Sequence, residues 1–236
     1  MRASLINPEY AAIVSGGDIC FDSAQEKSAL ELIRGAKSVI AADSGVDFLL
    51  QKGIVPQVLL GDFDSCLGES VRFCEKSGSR ILRLKVDKDQ TDTEAALEEA
   101  LNMGFSQAVV IGALGGGRFE HSLANISLIE TYKRRGMDVV LVSGKTAVCS
   151  VGLPGGTVEE GQAGRERVFY GKPGDWVSLF PVTGEVHGVT TMNLRFPLAS
   201  ATLRRGSTLG VSNEMLKEEA RVSVDAGFML IILTDR

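Results

Sequence analysis

Acidic residues collect where the apolar runs of this chain end. Asp43 closes SVIAAD, Asp62 and Asp64 follow QVLLG, and Asp92 lies just past RILRLKVDKDQT. The runs AAIVSGG, SVIAAD, QVLLGD, RILRLKV, AVVIGAL and DVVLVSG are short and β-rich, and several are apolar on both faces, as buried parallel strands are. Between them SAQEKSALELIRGA, ESVRFCEKSG, TDTEAALEEALNMG and EHSLANISLIETYKRRG carry helical spacing. This alternation predicts a doubly wound, mostly parallel α/β sheet over residues 1–144. In such a sheet ligands bind outside the carboxyl ends of the strands, where these aspartates fall. Carboxylates gathered there repel one another. At ~4 Å and an effective dielectric of about 20, each like-charged pair costs about 4 kcal/mol. A hard divalent cation carrying a phosphorylated ligand is the simplest remedy.

Past residue 144 the pattern changes. Turn residues arrive every eight to twelve positions and separate RVFYG, DWVSLFPV, EVHGVTT, ATLRRG, ARVSVDAG and FMLIILT. That spacing predicts an all-β sandwich over residues 145–236, with VGLPGGTVEEGQAG as the junction. A chain of 236 residues is long enough for two modest cores. The net charge of −5 argues against a nucleic-acid binder, so an anionic substrate must be met by local cations and metal. Cys20, Cys66, Cys74 and Cys149 form no C-x-x-C pair, and with only His121 and His187 beside them a zinc site is not expected. Scattered thiols suit a reducing cytoplasm. No apolar stretch approaches the ~20 residues of a membrane span, and the N-terminus lacks the layout of a secretory signal.

Four segments carry the chemistry. In GDFDS, an extended backbone would place Asp62 and Asp64 on one side, with α-carbons about 7 Å apart, so that both clamp one ion; an acidic surface turn is the plainer reading. Gly61 permits close backbone approach. In DKDQTD, Thr91 caps a helix, Asp92 points back toward the strand ends and Lys88 neutralises a phosphate oxygen, or the segment is merely a solvated helix entry. In GALGGGRFEHSLAN, glycines including Gly115 and Gly116 let backbone N–H groups wrap an anion, and Arg118 offers a planar fork. His121 there is either a ligand-facing group or a ring bonded to nearby backbone. Asp43-Ser44-Gly45 is a strand-to-helix turn, in which Asp43 is an N-cap or a site residue. All four fall on one edge of one sheet, which favours the site reading.

AADSG, GDFDS, KDQTD, the glycine loop ending in RFEH with Asn125, and GSTLGVSNE together resemble the thiamine pyrophosphokinase family, in that family's order and over most of the chain. The resemblance implies an α/β domain followed by a β-sandwich. It implies a homodimer with substrate clefts between subunits, and Mg²⁺-dependent transfer of the pyrophosphoryl group of ATP to thiamine, releasing AMP. By position, Asp62, Asp64 and Asp92 match the metal carboxylates, and Asp43 the aspartate near the reaction centre, which orients the attacking hydroxyl or assists its deprotonation. Lys88, Thr91 and Arg118 match phosphate contacts. Ser212 and Asn213 match the thiamine-side loop, and Phe196 an aromatic lying against thiamine from the partner subunit, with β-core packing as its plainer role. Two departures stand out: Glu120 replaces the usual Asp before the histidine, and the glycine run is one residue longer. A pyrophosphokinase for another small alcohol, such as a hydroxymethyl pterin, a nonenzymatic nucleotide or thiamine diphosphate sensor, and a Mg²⁺-dependent phosphohydrolase are the alternatives.

Overall fold

Five segments pair in parallel, and four of them are hydrophobic on both faces and can be satisfied only between layers. They are β1 (Ala11–Val14), β2 (Ser38–Ala42), β3 (Val58–Gly61), β4 (Arg80–Arg83) and β5 (Gln107–Ile111). Every residue of β1, β2, β3 and β5 is buried, whereas β4, at the edge, exposes Arg80 and Arg83 and half-buries Ile81 and Leu82 between them. The computed structural model describes residues 9–19, 22–85, 87, 89–157 and 164–236, and Lys88 lies outside them. Two compact units emerge. One comprises the described residues of Asn7–Leu128 with Leu141–Gly144; the other takes Ile129–Val140 and Lys145–Arg236.

In the first unit the strand order is β4–β3–β2–β1–β5, all parallel. The chain steps outward from β1 to β4 and then returns to the far side of β1 for β5. This reversal opens a crevice at the carboxyl ends of β1 and β5, the place where open α/β sheets receive ligands. The helices are α1 (Ser23–Gly35), α2 (Gly45–Gln51), α3 (Gly68–Lys76), α4 (Asp92–Asn102) and the start of α5 (Phe119–Arg134). Asp22 caps α1 by accepting from the Gln25 N–H at 2.8 Å. Thr91 caps α4, its Oγ1 accepting from the Glu94 N–H at 3.2 Å. Replacing Thr91 with alanine is expected to cost about 1 kcal/mol, read as a drop of about 2–4 °C in a thermal melt. The turn at Asp43 departs from its plainer reading. Ser44, not Asp43, holds the cap position of α2, and the Asp43 backbone carbonyl accepts from the Val46 N–H.

The second unit is antiparallel. One layer pairs β7 (Thr146–Thr157), β14 (Ala226–Thr234), β9 (Trp176–Pro181) and β12 (Asn213–Glu214); the other pairs β8 (Glu166–Tyr170), β13 (Glu219–Ser223), β10 (Glu185–Met192) and β11 (Ala201–Arg204). The layers meet where His187 pairs with Ala226. Alternation decides which face is buried: along β9, Val177, Leu179 and Pro181 are buried while Trp176 and Phe180 are exposed. The glycine-rich start of the expected junction belongs instead to β7. Its register against β14 shifts at Gly152, whose φ of 93° and closeness to the Gly227 carbonyl, 2.1 Å from where a Cβ would sit, demand glycine. Residues 158–163 of that junction lie outside the described residues. Cys66, Cys74 and Cys149 are free thiols. Among the described residues no helix is long and apolar enough to cross a membrane.

Candidate active site

The crevice predicted by the strand reversal is a cavity of about 420 Å³. Its walls are the segments that leave the strands: Ser15 and Gly17 after β1, Asp43 after β2, Asp62 and Asp64 after β3, and Gly112 and Ala113 after β5. Thr91, Asp92 and Thr93 enter from the start of α4, and Gly115, Gly116, Arg118 and His121 from the glycine loop and α5. A buried hydrogen bond between Ser15 Oγ and Thr93 Oγ1, at 3.0 Å, ties the helix start to the strand end.

Asp43, Asp62 and Asp64 each offer a carboxylate oxygen, and these three oxygens lie within 4.8 Å of one another. The backbone that produces this is not extended. β3 ends at Gly61, and Phe63 then adopts φ 65°, a left-handed conformation that costs a phenylalanine of order 1–3 kcal/mol and so must be held by its surroundings. The chain turns between the two aspartates, with the Asp64 N–H donating to Asp62 Oδ1 at 3.2 Å. The Arg83 guanidinium lies 5.2 Å from the Phe63 ring centroid, a cation–π contact that anchors the turn. Gly61 admits Asp43: a Cβ there would stand 3.2 Å from the Asp43 Cα. Asp43 is itself left-handed, φ 48°.

These contacts set the electrostatics. Asp43 Oδ1 is buried and has no hydrogen-bond partner among the described residues. Burial pushes the Asp43 carboxyl above its ordinary range; the Ser44 N–H opposes the rise, and the charges of Asp92, Asp62 and Asp64 add to it. A carboxylate with one unpartnered oxygen, grouped with two more carboxylates, is a donor set suited to a hard divalent cation. The sequence put Asp62, Asp64 and Asp92 together. The structure draws Asp43 into the close trio, while Asp92 lines the same cavity and acts on Asp43 through its charge.

The glycine loop differs from its expected form. The Gly115 N–H donates to Ser122 Oγ at 3.0 Å and the Gly116 N–H to the Asp18 carboxylate at 2.7 Å, so both are already engaged. Arg118 is largely exposed and its Nε donates to Glu120 Oε1 at 2.8 Å. That bond holds the Glu120 carboxyl below its ordinary value. His121 is half-buried, with its backbone N–H on the Arg118 carbonyl, and Asn125 Nδ2 donates to the Ala113 carbonyl at 2.8 Å. Ser15, Asp18, Thr93, Ser122 and Ser143 gave no signal in the sequence, because small polar residues at strand ends and helix starts are common and, Ser122 aside, their partners are distant in the chain.

Phe196, Ser212 and Asn213 form a second group, within the β-sandwich. Asn213 is buried and pairs reciprocally with Phe196: the Phe196 N–H donates to Asn213 Oδ1 at 2.9 Å, and Asn213 Nδ2 donates to the Phe196 carbonyl at 2.7 Å. The Phe196 ring is not core packing. It is 59 % exposed, with the Arg195 guanidinium 5.5 Å from its centroid. Ser212 is left-handed at φ 60°, and its N–H donates to Ser178 Oγ at 3.0 Å.

Residues 29–141 match the family described as thiamin pyrophosphokinase, catalytic domain, and residues 166–229 that described as thiamin pyrophosphokinase, vitamin B1 binding domain. The chain is 28 % identical over 193 residues to a thiamine pyrophosphokinase of Bacillus subtilis (strain 168), covering 82 % of this chain and 85 % of that protein. It is 29 % identical over 191 residues to thiamine pyrophosphokinase 2 of Oryza sativa subsp. japonica, covering 77 % and 67 %. The crystal structure of the Bacillus subtilis thiamine pyrophosphokinase superposes with a TM-score of 0.79 at 25 % identity, covering 96 % of this chain and 99 % of the other. A thiamin pyrophosphokinase from Candida albicans shares the fold, with a TM-score of 0.73 at 14 % identity over 96 % and 90 % of the two chains.

Proposed function

The chain belongs to the thiamin pyrophosphokinase family, and from that premise we propose that it transfers the pyrophosphoryl group of ATP to the hydroxyl of thiamine. The observation that carries this reading is the convergence of Asp43, Asp62 and Asp64 in one crevice with a glycine loop and Arg118, with one Asp43 oxygen buried and unpartnered. The match of residues 166–229 to a vitamin B1 binding domain favours thiamine over a pterin as acceptor.

In the reaction the thiamine hydroxyl oxygen bonds to the β-phosphorus, and the bond from that phosphorus to the oxygen bridging to the α-phosphate breaks. AMP leaves with the bond's electrons, and the hydroxyl proton passes to a base or to solvent. Transfers of this kind are governed by positioning and charge neutralisation. Asp43, Asp62 and Asp64 would hold Mg²⁺, with Asp92 adding its charge from the first turn of α4. The bound cation supplies Lewis-acid neutralisation of phosphate charge. Arg118 and Lys88 offset charge developing on the phosphates, and Thr91 and His121 serve the nucleotide side. Asp43 also faces the acceptor hydroxyl and orients it. Phe196 offers an exposed aromatic face to the thiamine cation, with Ser212 beside it and Asn213 locking the Phe196 backbone. The enzyme works in the cytoplasm as a homodimer, Phe196 of each copy serving the thiamine bound by the other.

Incubation with ATP, Mg²⁺ and thiamine is expected to yield thiamine diphosphate and AMP in equal amounts, both detected by mass. ATP hydrolysis to the same extent without thiamine would replace this reading with that of a phosphohydrolase.

A further inference from the structure

The glycine loop of the crevice is fastened at five successive residues. The Gly112 N–H donates to the Val142 carbonyl at 3.2 Å, and the Ala113 carbonyl accepts from Asn125 Nδ2 at 2.8 Å. Ser143 Oγ lies 3.1 Å from the Leu114 carbonyl and 2.7 Å from that of Asp18, so its single proton is shared between them. The Gly115 N–H is taken by Ser122 Oγ at 3.0 Å. Only at Gly116 is the fastener a charged side chain: its N–H donates to Asp18 Oδ2 at 2.7 Å.

Four neutral ties already define the loop, so the fifth is not required for its shape. It carries a cost for an anionic ligand. Gly115, Gly116, Gly117 and Arg118 all line the cavity, and a backbone N–H on such a loop is a ready donor to a phosphate oxygen. A carboxylate oxygen on that N–H mimics the phosphate oxygen and, although Asp18 does not itself line the cavity, puts a negative charge one hydrogen bond from a residue that does. Asp18 thus competes with the nucleotide twice, for the donor and through its charge. We propose that Asp18 is a built-in counter-anion of the glycine loop, displaced from Gly116 when the triphosphate binds, and that it sets a weaker affinity for ATP than the loop alone would have. This rests on the reading of the crevice as the nucleotide site.

Calorimetric titration with ATP and Mg²⁺, without thiamine so that no turnover occurs, tests the proposal on the full chain. Asp18→Ala is expected to bind ATP about five- to tenfold more tightly than the parent, the scale of one relieved like-charge contact in a partly solvated cleft. Asp18→Asn, which keeps an acceptor for Gly116 but loses the charge, falls between the two. Inorganic tripolyphosphate shows the same order, because the effect concerns phosphate and not base. In turnover the KM for ATP falls while the KM for thiamine stays put. A residue with a merely structural role would loosen the loop and weaken binding, so equal or weaker ATP affinity in Asp18→Ala overturns the proposal. If the parent itself binds neither ATP nor tripolyphosphate, the nucleotide reading of the crevice falls first and takes this inference with it; if the parent turns over normally and only the tightening is missing, this inference falls alone.

Discussion

Replacing Asp43 with asparagine will raise the melting temperature of the metal-free protein while removing most of its pyrophosphoryl transfer. The stability half follows from linkage. Burial, and then the charges of Asp92, Asp62 and Asp64 against the opposing Ser44 N–H, hold the Asp43 carboxyl above its ordinary value near 3.8. A carboxyl raised on folding favours the folded state when protonated, and that contribution is lost as pH rises through the folded value. At neutral pH the ionised group therefore works against folding, with Asp43 Oδ1 buried and unpartnered. Asparagine removes the charge, and a gain of a few degrees is expected in buffer containing a chelator. Below the ordinary carboxyl value the two proteins should converge, because the aspartate is then protonated in both states.

The activity half has the opposite sign. If Asp43 completes the cation site with Asp62 and Asp64, turnover should drop by roughly a hundredfold or more, since even residues that only orient metal ligands cost about 10–100-fold when replaced. Added Mg²⁺ should raise the melting temperature of the parent and have much less effect on the variant, a readout independent of turnover. A variant that melts lower than the parent without metal, or that keeps its response to Mg²⁺, would remove Asp43 from the site.

Much of the scaffold was legible because its causes are local. Strands buried on both faces must read as unbroken apolar runs, and β1, β2, β3 and β5 do. The sandwich strands announce themselves by alternation, as in β10, where Val186, Val189 and Thr191 are buried between exposed or half-buried neighbours. What escaped has identifiable reasons. Helix α2, GVDFLLQ, was signalled only by the turn that precedes it, because its seven residues are too few to show a helical period. The end of β7, VGLPGGT, reads as a turn because its glycines serve a register shift, not a loop. The extended form expected of GDFDS failed at Phe63, since nothing marks a phenylalanine for a left-handed conformation that only its tertiary surroundings impose. The strand ends bring oxygens of Asp43, Asp62 and Asp64 within 4.8 Å of one another, and which aspartates approach closest depended on that turn. Asp18 could not be read at all: its partner, Gly116, is 98 residues away.

The other large effect lies in the β-rich unit, far in sequence from those aspartates. Asp138, at the start of β6 (Asp138–Ser143), sits between two cations: Lys133 Nζ is 3.0 Å from Oδ1 and Arg167 Nη2 is 2.5 Å from Oδ2. All three side chains are only 14–16 % exposed. Arg167 is further fixed by donating through Nε to the Ser150 carbonyl at 3.1 Å, beside the buried thiol of Cys149, whose pKa burial pushes up to about 11. Burial alone would raise the Asp138 carboxyl, but the Arg167 guanidinium and the Lys133 ammonium outweigh it and hold the group below its ordinary value. Asp138→Ala strands two buried cations and is expected to cost about 3–5 kcal/mol, a fall on the order of 10 °C. The cluster's net worth is smaller than that loss, because both cations and the carboxylate were desolvated to form it. Replacing all three together, Lys133→Met, Asp138→Leu and Arg167→Met, should therefore recover most of the stability. Acid supplies an independent check. A carboxyl depressed on folding contributes stability above its ordinary value near 3.8, and that contribution drains away as pH falls through the lower folded value. The parent should lose urea resistance over that acid range more steeply than Asp138→Asn, which has no proton to take up; parallel acid limbs for the two would show that the charge at position 138 is not what holds the cluster.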